Sequence, residues 1–217
     1  MTYGLRFTNS SNVVTLDSEF ARLVVLDAGT WSGNGSGITV SFSKVINTVE
    51  PPLVFVRPNQ SNTFCFCKMI GSAGAWRGFS FVGISGQSTS GKWFCAVFKS
   101  SETARFGMRL WDGDSNLLFD TGTPCAQFTR SISSWSYLGS SSTGQGTSRL
   151  SWTSSSSLST DYMMLNNIAM DIGGTQSRQG SMYAVWQYNN DRLVIQAVGV
   201  DMSTSLYNTV IFAKPIS

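Results

Sequence analysis

Apolar and polar positions alternate along this chain in short runs, and no segment sustains an apolar period of 3.6. Period two predicts strands at Arg22 to Asp27, Ile38 to Ser43, Leu53 to Arg57, Thr63 to Ile70, Phe79 to Ser85 and Lys92 to Lys99. The later half adds Arg149 to Thr153, Tyr162 to Leu165, Met182 to Tyr188, Arg192 to Val198 and Tyr207 to Ala213. Turn formers separate them: Thr30 to Gly37, Glu50-Pro51-Pro52, Ser85 to Gly91, and Tyr188 to Arg192 between two alternating runs. Met163 to Ile172 comes nearest to a helical period, but it is short and holds Asn166-Asn167.

One pattern occurs twice. Tyr3-Gly4-Leu5-Arg6-Phe7-Thr8-Asn9 aligns with Phe106-Gly107-Met108-Arg109-Leu110-Trp111-Asp112 at a constant offset of 103 (106 − 3), which persists to Leu16-Asp17-Ser18 against Phe119-Asp120-Thr121. Gly, Arg and Asp match identically, and most other positions match in character. Each copy reads as a β-hairpin around a polar turn, Asn9 to Asn12 in the first and Asp112 to Ser115 in the second. The repeated Arg is expected near the Asp that closes its hairpin, as a surface ion pair of about 0 to 1 kcal/mol. A weaker echo joins Phe81 to Ile84 with Ala197 to Val200 at an offset of 116 (199 − 83), which implies insertions in the later half, with Ser140 to Gly146 and Ser154 to Ser157 as candidates.

These signals predict an all-β fold of two tandem β-sandwich units, each opened by a hairpin, with minimal helix. The boundary falls near Ser100 to Arg105, giving units 1–104 and 105–217.

Composition narrows the function. Charged residues are 12% of the chain, about half the usual share, so solubility rests on neutral Ser, Thr, Asn and Gly. The net charge of +3 is spread thinly, without the basic patch that nucleic acid requires. The first residues do not read as a signal peptide, and no apolar run is long enough to span a membrane as a helix.

No histidine is present, so neither a Ser-His-Asp nor a Cys-His constellation can be built from this chain. Lys44, Lys68, Lys92, Lys99 and Lys214 sit on or beside predicted strands, outside any nucleophile motif, and the Asp residues fall mostly at turns or strand ends. Cys65, Cys67, Cys95 and Cys125 read as reduced, partly buried thiols, with Cys65 and Cys67 on one face of a strand and Phe64 and Phe66 on the other. Asp112, Asp114 and Asn116 begin like a calcium loop, but the sixth position is Leu117 and the twelfth Thr123, which favours a hairpin turn. No catalytic residue, metal site or cofactor is expected.

Trp31, Trp76, Trp135 and Trp152 lie beside Gly and Ser clusters. Two readings stand for them: they contact a glycan or protein partner, or they cap the ends of their own sandwich.

The repeated opening, Tyr3 to Phe7 through Leu16-Asp17-Ser18, together with Pro51-Pro52-Leu53-Val54-Phe55-Val56-Arg57-Pro58, resembles bacteriophage tail-tip and tail-fibre-associated β-sandwich virion proteins. The resemblance covers the N-terminal unit and, through the second hairpin, the C-terminal one. It implies a non-enzymatic structural protein of the virion tail, made in the host cytoplasm and acting in assembly and host attachment. Other tail proteins and further copies of the chain are the implied partners, with a host surface glycan or protein as a further contact. A capsid decoration protein and a carbohydrate-binding adhesin module are the alternatives.

Overall fold

The computed structural model describes residues 6–8, 10, 14–17, 22–84, 86–144, 146–154, 160–168, 171–173 and 179–216. Tyr3, Gly4 and Leu5, most of the first turn, and Ser155 to Ser157 lie outside the described residues.

Eighteen strands follow one another among the described residues. The first eight are β1 (Arg6–Thr8), β2 (Val14–Asp17), β3 (Val24–Gly33), β4 (Ile38–Ile46), β5 (Leu53–Pro58), β6 (Asn62–Ile70), β7 (Trp76–Val82) and β8 (Thr89–Val97). Then come β9 (Arg109–Trp111), β10 (Leu117–Asp120), β11 (Cys125–Ile132), β12 (Ser136–Gly144) and β13 (Thr147–Thr153). The last are β14 (Tyr162–Met164), β15 (Asp171–Gly173), β16 (Gln179–Gln187), β17 (Arg192–Gly199) and β18 (Val210–Ile216). A 3₁₀ turn at Tyr188–Asn190, closed by Asp191 in the left-handed region, joins β16 to β17 where the sequence places a hairpin. The all-β, sandwich-like class with minimal helix is therefore observed.

Six strands close into a barrel in the order β11-β18-β14-β5-β8-β3, and eight form a sheet in the order β12-β13-β17-β16-β6-β7-β4 with β15 beside β16. Both draw strands from either side of residue 104: β14 pairs with β5, and β16 pairs with β6. The compact units accordingly differ from the expected halves 1–104 and 105–217. Unit 1 comprises Met1–Leu26, Ala96–Gln127 and Pro215–Ser217; unit 2 comprises Asp27–Cys95 and Phe128–Lys214. A matching pair of hairpins marks a local duplication, whereas backbone pairing between strands distant in sequence decides how a sheet is built.

The core of unit 2 is aromatic. Phe55 stacks on Phe94 with ring centroids 4.7 Å apart, while Phe79 packs edge-on to Trp93 and stacks on Phe81. Such pairs stabilise beyond their buried area by about 0.5–1.5 kcal/mol each. β4 turns Ile38, Val40 and Phe42 inward by alternation, whereas β5 buries three consecutive residues, Val54, Phe55 and Val56, because both of its faces are covered.

Beyond β11 and β15, where no strand is expected from sequence, three segments depart from the expected elements. β3 runs on through Thr30-Trp31-Ser32-Gly33, read from sequence as the start of a turn, because Trp31 is a core residue there. β12 takes in Ser140 to Gly144, read as a low-complexity insertion, and is held by its backbone ladder to β13. β6 bulges: Cys65 pairs with Val82 and Lys68 with Ser80, leaving one extra residue on β6. Phe66 sits there at φ +50° and is 41% exposed while Phe64 is fully buried, so the two do not share a face as strict alternation expects.

Candidate functional site

The second copy of the repeated motif lies in unit 1 and is described in full. β9 and β10 pair with Arg109 opposite Asp120; in the first copy β1 and β2 pair with Arg6 opposite Asp17, which is the same register at the same offset. The turn between β9 and β10 is built by Asp112. Its Oδ1 accepts from the N–H groups of Asp114 at 2.9 Å and Asn116 at 2.8 Å, and its Oδ2 accepts from Asn116 Nδ2 at 2.8 Å. These donors, led by the Asn116 amide, hold the Asp112 carboxyl below its ordinary range. Its oxygens thus organise a turn, with Ser115 at φ +65° completing the reversal.

Asp120 is the centre of the hairpin's base. Its side chain is fully enclosed and accepts from Arg109 Nε at 2.7 Å, Gly122 N at 2.8 Å, Ala104 N and Thr103 Oγ1 at 3.0 Å, and Thr103 N at 3.4 Å. Burial alone would push this carboxyl up; the Arg109 guanidinium and the surrounding N–H and hydroxyl donors outweigh it and hold the group well below the usual carboxylate range. Arg109 also donates from Nη1 to Glu102 Oε2 at 2.7 Å and from Nη2 to the Ala104 carbonyl at 2.8 Å. The surface ion pair expected from sequence is therefore a half-covered Arg on a covered Asp, because the Glu102–Ala104 segment folds over the hairpin base and supplies its own N–H groups.

The residues identical between the two copies are the ones this geometry uses. Arg109 and Asp120 form the pair. Gly107 adopts φ +139°, and a Cβ on it would fall 1.9 Å from Thr121 Oγ1, so no other residue fits. The Thr121 hydroxyl, matched by Ser18 in the first copy, accepts from Met108 N at 3.2 Å. A carboxylate kept ionised by five donors and shielded from solvent does not exchange a proton near neutral pH, so the knot braces the hairpin rather than performing acid–base chemistry.

What the brace presents is an exposed apolar and basic surface. Phe106 is 92% exposed, Trp111 47% and Met108 37%. With Arg105 and Arg109 the two aromatics line an open cleft of about 350 Å³. Sequence reasoning singled out tryptophans beside Gly and Ser clusters and so passed over Phe106 and Trp111, although both stand in the repeated motif itself.

The four tryptophans chosen from sequence are all in unit 2 and serve its interior. Trp31 is 5% exposed, edge-on to Phe64 and Phe81, with Nε1 directed at Thr89 Oγ1 at 3.4 Å; its ring fills the space that a Cβ on Gly91 would occupy. Trp152 is 2% exposed and donates to the Thr204 carbonyl at 2.7 Å. Trp76 and Trp135 are half-buried and donate to the carbonyls of Thr48 and Asn208. Trp135 packs on the small cluster of Leu150, Trp152 and Ala197. Trp31 and Trp152 thus have no ring face to offer a partner, and each of the four indole N–H groups already has an acceptor in the chain.

The cysteines are free thiols. Burial pushes the thiols of Cys65, Cys67 and Cys95 up to about 11, 12 and 12, with the Asp27 carboxylate adding to the rise at Cys95. Among the described residues no three His, Cys, Asp or Glu side chains converge as metal ligands, and no helix is long and apolar enough to cross a membrane.

No protein-family model, no curated protein and no solved structure matches this chain.

Proposed function

We propose that this chain is a non-enzymatic structural protein of a bacteriophage virion tail, at the tip, baseplate or fibre, acting in assembly and host attachment. The observation that carries the reading is the braced hairpin of unit 1. The repeat elements that resemble tail proteins are the ones that lock its base, and the locked hairpin displays Phe106 and Trp111 to solvent. Aromatic side chains on a rigid element supply large contact area at low entropic cost, as protein–protein contacts require. Repeated around a symmetric particle, modest contacts of this kind add up through multivalency.

Particle location tests the proposal. Labelled chain detected by electron microscopy should decorate the tail at a dozen or fewer copies per particle; density over the capsid lattice at hundreds of copies would support a decoration protein instead. Replacing both aromatics, Phe106→Ser with Trp111→Ser, should leave the isolated protein folded and reduce its incorporation into particles severalfold.

A further inference from the structure

We infer that the cleft between β3 and β4 in unit 2 is a binding site for a short neutral oligosaccharide, with Trp93 Nε1 as its buried hydrogen-bond donor. β3 and β4 are consecutive and joined by Asn34 to Gly37, yet they are not neighbours in a sheet: β3 belongs to the barrel and β4 ends the eight-stranded sheet. Between them lies a cleft of about 700 Å³, within the roughly 300–1,000 Å³ range of small-ligand sites.

The strongest sign of a ligand is at its floor. Trp93 is 5% exposed, and its Nε1–H has no acceptor among the described residues. Indole nitrogen is a donor only, so no flip or tautomer satisfies it from within. Buried donors are almost always paired, and an unmet one in a cleft calls for an acceptor from outside the chain. Gly29 lies against it. A Cβ there would stand 3.1 Å from Nε1 and 3.3 Å from Cε2 and Cζ2, so this wall meets the enclosed polar edge of the indole with main chain only and no side chain.

The chemistry of the lining selects the ligand. Thr30, Ser32, Asn34, Thr39 and Ser41 are exposed neutral hydroxyl and amide side chains on the two walls, and no charged side chain lines the cleft. Groups that both donate and accept match sugar hydroxyls, which do the same, whereas an ionic ligand would meet no counter-charge. An added peptide strand bridging the two walls is the competing occupant, since β4 ends its sheet with an unpaired edge. That would need walls about 9.6 Å apart, two strand spacings. The walls are instead tied at one end by the Asp27 carboxylate, whose Oδ2 accepts directly from Ser43 N.

The test is titration of the ¹⁵N-labelled full chain with maltotriose, isomaltotriose and tri-N-acetylchitotriose, and separately with a capped neutral tetrapeptide, following the Trp93 indole N–H resonance. That resonance is assigned by its loss in Trp93→Phe. At least one trisaccharide should shift it saturably in the millimolar range, and Gly29→Ala, which sets a methyl against Nε1, and Trp93→Phe should each weaken binding about tenfold. Thr39→Lys, at an exposed wall position, obstructs the cleft without touching the core and should abolish binding even if a core variant misfolds. No saturable shift with any trisaccharide up to about 20 mM, undiminished binding in all three variants, or binding of the tetrapeptide alone would each overturn the inference.

Discussion

A tryptophan set among Ser and Gly carries no sequence sign of burial, because its cover comes from residues 33 to 60 positions away. Trp31 packs against Phe64 and Phe81 and over Gly91, none of which its own segment announces. The two roles predict different mutants. As a core residue, Trp31→Ala should cost about 3–5 kcal/mol in urea denaturation, the usual range for emptying a large aromatic site; a partner-contact residue would cost stability little. Asp120 shows the same dependence on distant cover. Its folded-state carboxyl lies below the unfolded value, so its contribution to stability is complete above about pH 4 and is lost progressively as pH falls below that, toward the depressed folded value. Asp120→Asn keeps the shape but removes the charge that Arg109 neutralises. Its Tm should lie more than about 5 °C below that of the parent at pH 7, and thermal melts repeated down to pH 2.5 should show the gap narrowing as the unfolded parent's Asp120 takes up a proton that the folded state still refuses. A pH-independent gap would mean that the ion pair does not set the stability of the hairpin.

At the scale of elements, alternation located most strands to within a few residues, since a half-buried strand writes its two faces into the sequence, as β4 and β13 do. It failed where something other than side-chain burial makes the strand. β12 is almost wholly exposed and is held to β13 by its backbone ladder, with Tyr137 against Trp152 as a ring contact, so its Ser-rich stretch carries little apolar signal. The bulge in β6 fails differently: one inserted residue shifts the phase, and no proline or glycine marks the place. Phe66 occupies that bulge at φ +50°, a conformation that costs a bulky side chain of order 1 kcal/mol or more. Its exposed ring returns little burial, with an edge contact to Tyr183 at 6.2 Å as its main packing. Phe66→Gly should therefore leave Tm unchanged or raise it by about 2–4 °C. Phe66→Val, β-branched in the left-handed region, should lower it by at least as much. A fall with glycine equal to that with valine would show that the aromatic contact, not the backbone, governs the position.

For the whole molecule, the repeat revealed a duplicated hairpin, while the pairing of sheets across the chain was invisible to it. Register between β5 and β14, or β6 and β16, is fixed by which apolar faces meet in three dimensions, and that information is spread over segments more than 100 residues apart. The consequence is a sharp difference between tandem and interleaved units. If the chain were two units in succession, residues 1–104 and 105–217 would each fold alone. In the interleaved arrangement, a cut at 104 leaves β6 without β16 and β5 without β14, and it divides unit 1 between Ala96 and Gln127. Each piece then exposes strand edges and half of an aromatic core, a combination that aggregates rather than folds. Expressed separately, both fragments should lack near-UV circular dichroism and a cooperative thermal transition, whereas the intact chain should show both. A cooperative melt from the 1–104 fragment alone would establish that unit 2's sheets can close without the later strands, and the pairing of β6 with β16 would then be dispensable to the fold.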